Sequence, residues 1–147
     1  MSDLTRQDVI VRGWPYGSGL QYSFRQKALE SPDLIEGIIV HVADEGGVPV
    51  VTVHTSALHA SGNRDNPWVV MRGRNQTDAV TSAKITCVKL GTGIMFQVPV
   101  NGAEHPMAGN LVYANAGATT IVDPGSAPAF GRVVSYDPVA GLVTIES

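Results

Sequence analysis

The stretch FGRVVSYDPVAGLVTIE, residues 130–146, carries two β-branched runs on either side of Asp137-Pro138-Val139-Ala140-Gly141. Asp137 can cap a turn with its carboxylate, Pro138 presets φ at the corner, and Gly141 permits a positive φ where the second run begins. The pattern predicts a β-hairpin, with Val133, Val134 and Tyr136 on the outgoing arm and Leu142, Val143 and Ile145 on the return. Cross-strand apolar pairs of this kind stabilise a sheet by about 0.2–1 kcal/mol each. Two strands alone are marginal in water. The hairpin therefore has to dock on more sheet, which the remaining chain has to supply.

Upstream, the same grammar recurs. In GIMFQVPV, residues 93–100, Ile94, Phe96, Val98 and Val100 alternate with Met95, Gln97 and Pro99, the period of a half-buried strand. Pro99 has no N–H for a ladder, so this strand lies at an edge or ends there. GIIVHV, the turn EGG and PVVTVH predict a second hairpin over residues 37–54, with Ile38, Val40 and Val42 on one face. WVVM at 68–71 follows the turn-like SGNRDNP, and KITCVKL at 84–90 follows TDAVTSA, a short helix or turn. LVYA, TTIV and the closing hairpin complete a count of about nine short strands. That count predicts an all-β fold, a small β-barrel or sandwich of short antiparallel strands with little helix. Residues 1–35 read differently: DVIVR is a short strand, GWPYGSG is turn-rich, and YSFRQKALESPDL holds at most one weak helix ending near Ser31-Pro32. The expected organisation is an extended N-terminal arm, 1–35, and a β-barrel domain, 36–147.

Composition narrows the function. A chain of 147 residues is one domain with a real core, burying roughly 68% of its unfolded surface. Charged residues make up 16%, against roughly 25% in globular domains. A weakly charged surface is a hint of assembly. The net charge of −3, with ten dispersed Lys and Arg, offers no basic stripe for a phosphate backbone, so direct nucleic-acid binding is not expected. Cys87, the single cysteine, cannot form an internal disulfide and reads as a small buried strand residue. MSDLTRQDVIVRG has no uninterrupted apolar run, so neither a secretory signal nor a membrane span is expected, and the chain reads as a soluble protein made in a cytoplasm.

Catalytic chemistry is hard to nominate. His41, His54 and His59 could converge on a metal, but His54-x4-His59 runs from a strand end into a loop with no cysteine nearby; no metal site is expected. His105, before a proline, reads as a loop residue. GSG at 17–19 and PGSAP at 124–128 are loop sequences rather than a nucleophile elbow. Asp44-Glu45 belongs to a hairpin turn, and GTG at 91–93 is too short to cradle phosphate. The expectation is a non-enzyme without cofactor. Arg72 and Arg74 form the most suggestive charged group; they read first as a solvated face and, in a net acidic domain, as interface residues before an anion pocket.

With those residues in view, MAGNLVYANAGATTIVDPGSAPAFGRVVSYDPVAGLVTIES resembles the small β-barrel decoration, or cement, proteins of tailed-phage capsids. In that family an AGDLV-like strand, a short second strand, a loop, a GRVVS-like strand, a turn and a terminal GLVTVE-like strand recur. Here these correspond to Ala108 to Val112, Thr119 to Val122, Gly131 to Ser135 and Gly141 to Glu146, with Asn110 in place of a more usual acidic residue. The resemblance implies a structural virion protein on the capsid exterior, made in the host cytoplasm. It would cement neighbouring major capsid protein subunits and self-associate as a dimer or trimer, with no membrane partner. Trp14, Tyr16, Tyr22 and Phe24 are then expected in arm contacts, and Trp68, Arg72 and Arg74 in a second contact surface. The competing readings are a tail or head-fibre base module, a ligand-binding or enzymatic β-barrel, and an OB-type nucleic-acid binder.

Overall fold

The computed structural model describes residues 10–12, 21–26, 34–54, 67–73, 84–91, 93–100, 103–125 and 129–147. Among them are eleven strands and no helix. In chain order these are β1 (Ile10–Arg12), β2 (Gln21–Gln26), β3 (Ile39–Glu45), β4 (Val48–Val53), β5 (Trp68–Arg72) and β6 (Lys84–Lys89), then β7 (Met95–Pro99), β8 (Leu111–Asn115), β9 (Ala118–Thr120), β10 (Gly131–Asp137) and β11 (Leu142–Glu146). The expected all-β architecture holds. Strands β2-β4-β3-β5-β6 close into a barrel, and β1-β7-β11-β10-β8-β9 form a six-stranded sheet. That sheet curls until Val100, just past β7, forms a parallel bridge with Thr119 of β9.

The closing hairpin forms as its turn chemistry requires. The Asp137 carboxylate accepts from the N–H groups of Val139 and Ala140 at 2.9 and 3.2 Å, and Gly141, at φ 69°, donates to the Asp137 carbonyl at 2.8 Å. Val133 pairs with Ile145 and Tyr136 with Val143; the register shifts between Val133 and Ser135, a β-bulge that leaves Val134 exposed. The hairpin docks through β11 on β7, where Ile145 faces Phe96 and Val143 faces Val98. Of the two placements open to Pro99, the structure takes the strand end: β7 lies between β1 and β11 and stops at that proline. The β3–β4 hairpin also forms, with Gly46 and Gly47 both at positive φ as the two-residue loop and Asp44 accepting from the Gly47 N–H at 3.3 Å.

The barrel strands are apolar on both faces, and each face has its own destination. Val40, Val51, Val70, Ile85 and Cys87, with Phe24 against them, form one contact cluster drawing on all five barrel strands. Side chains from every strand of a closed cylinder touch one another inside it, so this is the barrel interior, which Leu34 joins. The second cluster takes Ile39 of β3, Val69 and Met71 of β5 and Val88 of β6, three strands adjacent in the barrel. It joins them to Phe96, Val98, Val112, Val133, Val143 and Ile145 of the curled sheet. The outer face of three barrel strands is thus the floor on which the sheet packs. Apolar runs without alternation, such as Val69-Val70-Met71, are what burial on both faces demands.

Two differences from expectation follow from β2. Residues 22–34 read as at most a weak helix, yet Gln21–Gln26 is a strand that pairs antiparallel with β6 and parallel with β4, closing the barrel. Tyr22 and Phe24 alternate with Ser23 and Arg25, a period-2 signal that the helix formers downstream obscured. The segment 1–35 therefore gives β2 and Leu34 to the barrel. TDAVTSA, read as a short helix or turn, lies outside the described residues.

Gly117 joins the two halves. Ala116 and Gly117, at φ 49° and 81°, form the two-residue turn between β8 and β9. Gly117 donates to the His54 carbonyl at 3.0 Å and accepts from the Ile39 N–H at 2.9 Å, inserting the hairpin tip where β3 and β4 open. A Cβ at this position would lie 2.9 Å from Val53 Cγ1 and 3.1 Å from Ile38 Cγ2. Gly117→Ala adds a steric overlap to the cost of a left-handed backbone, giving an expected loss of about 2–4 kcal/mol. Gly46→Ala has the same backbone sign and open space around it, so it is expected to cost only about 1–2 kcal/mol. Urea denaturation of both variants measures the difference, and equal losses would remove the inter-sheet role given to Gly117.

Candidate binding surfaces

The expected site residues regroup in three dimensions. Tyr22 and Phe24 of β2 meet Trp68 of β5 across β6, because Tyr22 pairs with Cys87 and Trp68 with Lys89. The three rings form a compact triad: Tyr22–Phe24 centroids are 6.0 Å apart, Tyr22–Trp68 5.8 Å and Phe24–Trp68 5.2 Å, the last two edge to face. Such pairs contribute about 0.5–1.5 kcal/mol each beyond area burial. Trp68 is buried, whereas Tyr22 keeps 52% of its surface exposed. With Val42 and Lys89 these residues line a depression of about 230 Å³, the mouth of the barrel whose interior lies below. The Lys89 ammonium sits 6.0 Å from the Trp68 ring centroid, at the outer reach of a cation–π contact.

Arg72 stands apart from this mouth. It is exposed at the far end of β5, about 13 Å of extended strand from Trp68, so Trp68 and Arg72 do not form one compact contact. Trp14, Tyr16 and Arg74 lie outside the described residues.

A larger cleft of about 690 Å³ lies between the barrel and the curled sheet. Leu90, Leu111, Phe130 and Val134 supply apolar wall, and His54, Arg132, Glu146 and Ser147 supply polar groups. Much of that polar capacity already serves the architecture. Arg132 donates through Nη1 to the Gly109 carbonyl at 3.1 Å. Ser147 Oγ donates to the Phe130 carbonyl at 2.6 Å and accepts from the Gly91 N–H at 2.8 Å, tying the end of β11 to the link between barrel and sheet.

His41 and His54 form a close pairing of titratable rings that sequence spacing did not settle. Their centroids are 4.0 Å apart at 14°, and their Nδ1 atoms are in hydrogen-bond contact, one donating and the other accepting. They meet because His41 pairs with Thr52, and His54 lies two residues further along the same face. His59 lies outside the described residues, and among those described no three His, Cys, Asp or Glu are placed to hold a metal ion. His105 is an exposed loop residue, as read from the sequence. Glu104 is taken up structurally: it accepts from Thr120 Oγ1 and from the Ile121 N–H, fixing the end of β9.

Comparison with protein-family models, with curated proteins and with solved structures found no match. Among the described residues no helix is long and apolar enough to cross a membrane.

Cys87 is buried in the barrel interior, and desolvation pushes its thiol well above the ordinary value of 9.0. The folded state therefore keeps its proton where the unfolded chain releases it, so this contribution to stability is present below about pH 9 and is lost as pH rises beyond it. Between pH 9 and 10 the wild type is expected to lose up to about 1.4 kcal/mol per pH unit more than Cys87→Ala, as read by urea denaturation at each pH. Iodoacetamide is expected to label Cys87 only on unfolding. Rapid labelling of the native protein at pH 8 would contradict the burial.

Mutation of the triad separates scaffold from surface. Trp68→Ala empties part of the interior and is expected to cost about 3–5 kcal/mol. Tyr22→Ala removes a half-exposed ring and is expected to cost about 1 kcal/mol, a contrast that thermal denaturation can check.

Proposed function

We propose that this chain is a structural virion protein that binds the outer surface of an assembled phage capsid and holds neighbouring major capsid protein subunits together. The observation that carries the reading is the construction of the body itself. A closed barrel and a curled sheet are locked by a buried glycine turn, and Arg132 and Ser147 of the 690 Å³ cleft are engaged in hydrogen bonds to the backbone. Such a body suits a rigid cement piece. The strand-and-turn grammar of residues 107–147, whose closing hairpin forms with a bulge at Val134, supports the same reading.

Binding to a lattice needs no single strong patch. An interface of about 1,600 Å² spans affinities from μM to pM, and joining two or three copies raises avidity by roughly 10²–10⁴. A dimer or trimer seated across capsomers would use this gain. Of the exposed large apolar side chains among the described residues, five, Met107, Leu111, Val122, Val134 and Val139, belong to the curled-sheet half and two, Tyr22 and Val48, to the barrel, which makes the curled-sheet half the stronger candidate for subunit or shell contacts.

A second reading, a small-ligand carrier, rests on the 690 Å³ cleft, whose volume falls in the range of small-molecule sites. Co-sedimentation with expanded, empty capsids and, separately, with unassembled capsid protein distinguishes the two. Binding to assembled shells alone, together with a raised temperature of shell disruption, is the expected result. Failure to bind any shell would overturn the cement reading and direct attention to the cleft.

A further inference from the structure

We infer that this chain associates with itself through two faces of opposite charge: the outer face of β2, β6 and β5 in one copy, and the far end of the curled sheet in a second. The inference specifies the self-association that the structural reading above calls on and rests on that reading only for its purpose; the two faces stand on their own geometry.

The fold sorts the charges of the chain. Residues 93–147 carry Glu104, Asp123, Asp137 and Glu146 against Arg132 alone, so this part holds the whole of the net charge of −3 and residues 1–92 balance. Within the barrel, β6 gathers cations from three strands on one side. Arg25 pairs with Lys84, Ser23 with Thr86, and Arg72 with Thr86; opposite side chains lie about 4.5–5.5 Å apart at Cβ and diagonal ones about 7–8 Å. Their side is the exterior, because Ile85 and Cys87 between them belong to the barrel interior. A bulge turns Arg72 to the same side. Met71 already faces outward into the inter-sheet core, and regular alternation would aim the next side chain into the barrel; the register shift between Val70 and Arg72 redirects it to stand beside Thr86. Lys84 and Arg72 are exposed, and Ser23 Oγ lies 3.3 Å from Thr86 Oγ1 among the cations. Glu36, whose carboxylate accepts from the Gly73 N–H at 3.1 Å, offsets one of the three positive charges. Arg25 Nε is buried without an acceptor among the described residues, a donor that a carboxylate of another molecule satisfies once the guanidinium turns outward.

The complementary face lies where β7 ends. Leu142 pairs with Pro99, the Val100 N–H donates to the Gly141 carbonyl at 3.3 Å, and Val100 bridges Thr119, whose strand runs on towards Asp123. The 137–141 turn and residues 122–123 therefore meet at one end of the sheet, and Glu104 joins them through Thr120 and Ile121. Val122 and Val139 are 64% and 97% exposed there. Asp123 and Asp137 accept only from backbone N–H groups among the described residues and keep their charge. Opposite charge sets which faces meet, and the two valines with the aliphatic stems of Arg and Lys supply apolar contact.

A nucleic acid is the other polyanion suited to a basic face. The observations favour a second copy, because Tyr22 and Phe24 alternate to the opposite side of β2 and leave no ring among the described residues of this face for a base to stack on, whereas the complementary surface is present on the chain itself.

The test is sedimentation velocity of the full-length protein over a concentration series at about 0.05 M and about 1 M salt, where screening shortens from above about 10 Å to about 3 Å. Wild type is expected to associate at low salt and to weaken at high salt. Arg72→Glu with Lys84→Glu, and separately Asp123→Lys with Val139→Lys, are each expected to weaken association about tenfold or more, the scale of two exposed pairs turned from attraction to repulsion. An equal mixture of the two variants is expected to associate again, which also shows that both are folded. Arg72→Gln with Lys84→Gln serves as the milder variant, expected to lose about three- to fivefold and most of the salt dependence. A monomer under every condition, neutralised or reversed variants that associate like wild type, or a mixture of folded variants that stays monomeric would overturn the inference. So would a short oligothymidylate bound by wild type and released by Arg72→Glu with Lys84→Glu. Shell binding is scored separately. If the chain self-associates as expected and binds no shell, the cement reading fails and the interface stands; if it binds shells while monomeric under every condition, the interface fails and the cement reading stands.

Discussion

The insertion of the Ala116-Gly117 turn between the ends of β3 and β4 is the constraint on which the rest of the molecule depends. It is a backbone contact, Gly117 donating to His54 and accepting from Ile39, in a space where no side chain fits. Once the tip is seated, β8 and β9 have a fixed direction relative to the barrel, and β9 is brought to its bridge with Val100. The curl of the sheet then encloses Phe96, Val112 and Val143 over the barrel strands. Without this lock the sheet would cover its floor by apolar contact alone, which is strong but non-directional. The hydrogen bonds supply the orientation.

The barrel strands accept this arrangement because both of their faces are apolar. Val40 and Val70 point into the cylinder while Ile39 and Val69 point into the inter-sheet core. A barrel with a polar exterior would stop at five strands; here the outer face of β3, β5 and β6 obliges a second layer. Polar groups drawn into the same region are recruited to the architecture, as the His41–His54 contact and the Ser147 bonds illustrate. Exposed apolar and aromatic side chains are left at the barrel mouth and on the curled sheet. The exposed apolar side chains give the proposed shell contacts a physical basis.

Local signals in the sequence determined a great deal. The alternation of Ile94, Phe96 and Val98, the Asp137-to-Gly141 turn, the Gly46-Gly47 hairpin and the burial of Cys87 could all be read before the fold was known. Each depends on relations within a few residues: a side-chain period of two, or a φ that glycine alone adopts cheaply. Tertiary structure decided what those relations do not contain. The helix formers Gln26-Lys27-Ala28-Leu29-Glu30 masked a strand at 21–26 that is stabilised by β6, some sixty residues away, and by a parallel pairing with β4. The candidate site divided for the same reason. Tyr22 and Phe24, assigned to an arm, and Trp68, assigned to a separate surface, are one aromatic triad because β6 sets them side by side, while Arg72 shares a strand with Trp68 and remains distant from it. Strand and turn were legible in neighbouring residues; which strands became neighbours depended on burying both faces of the barrel at once, a condition that only the whole folded chain can satisfy.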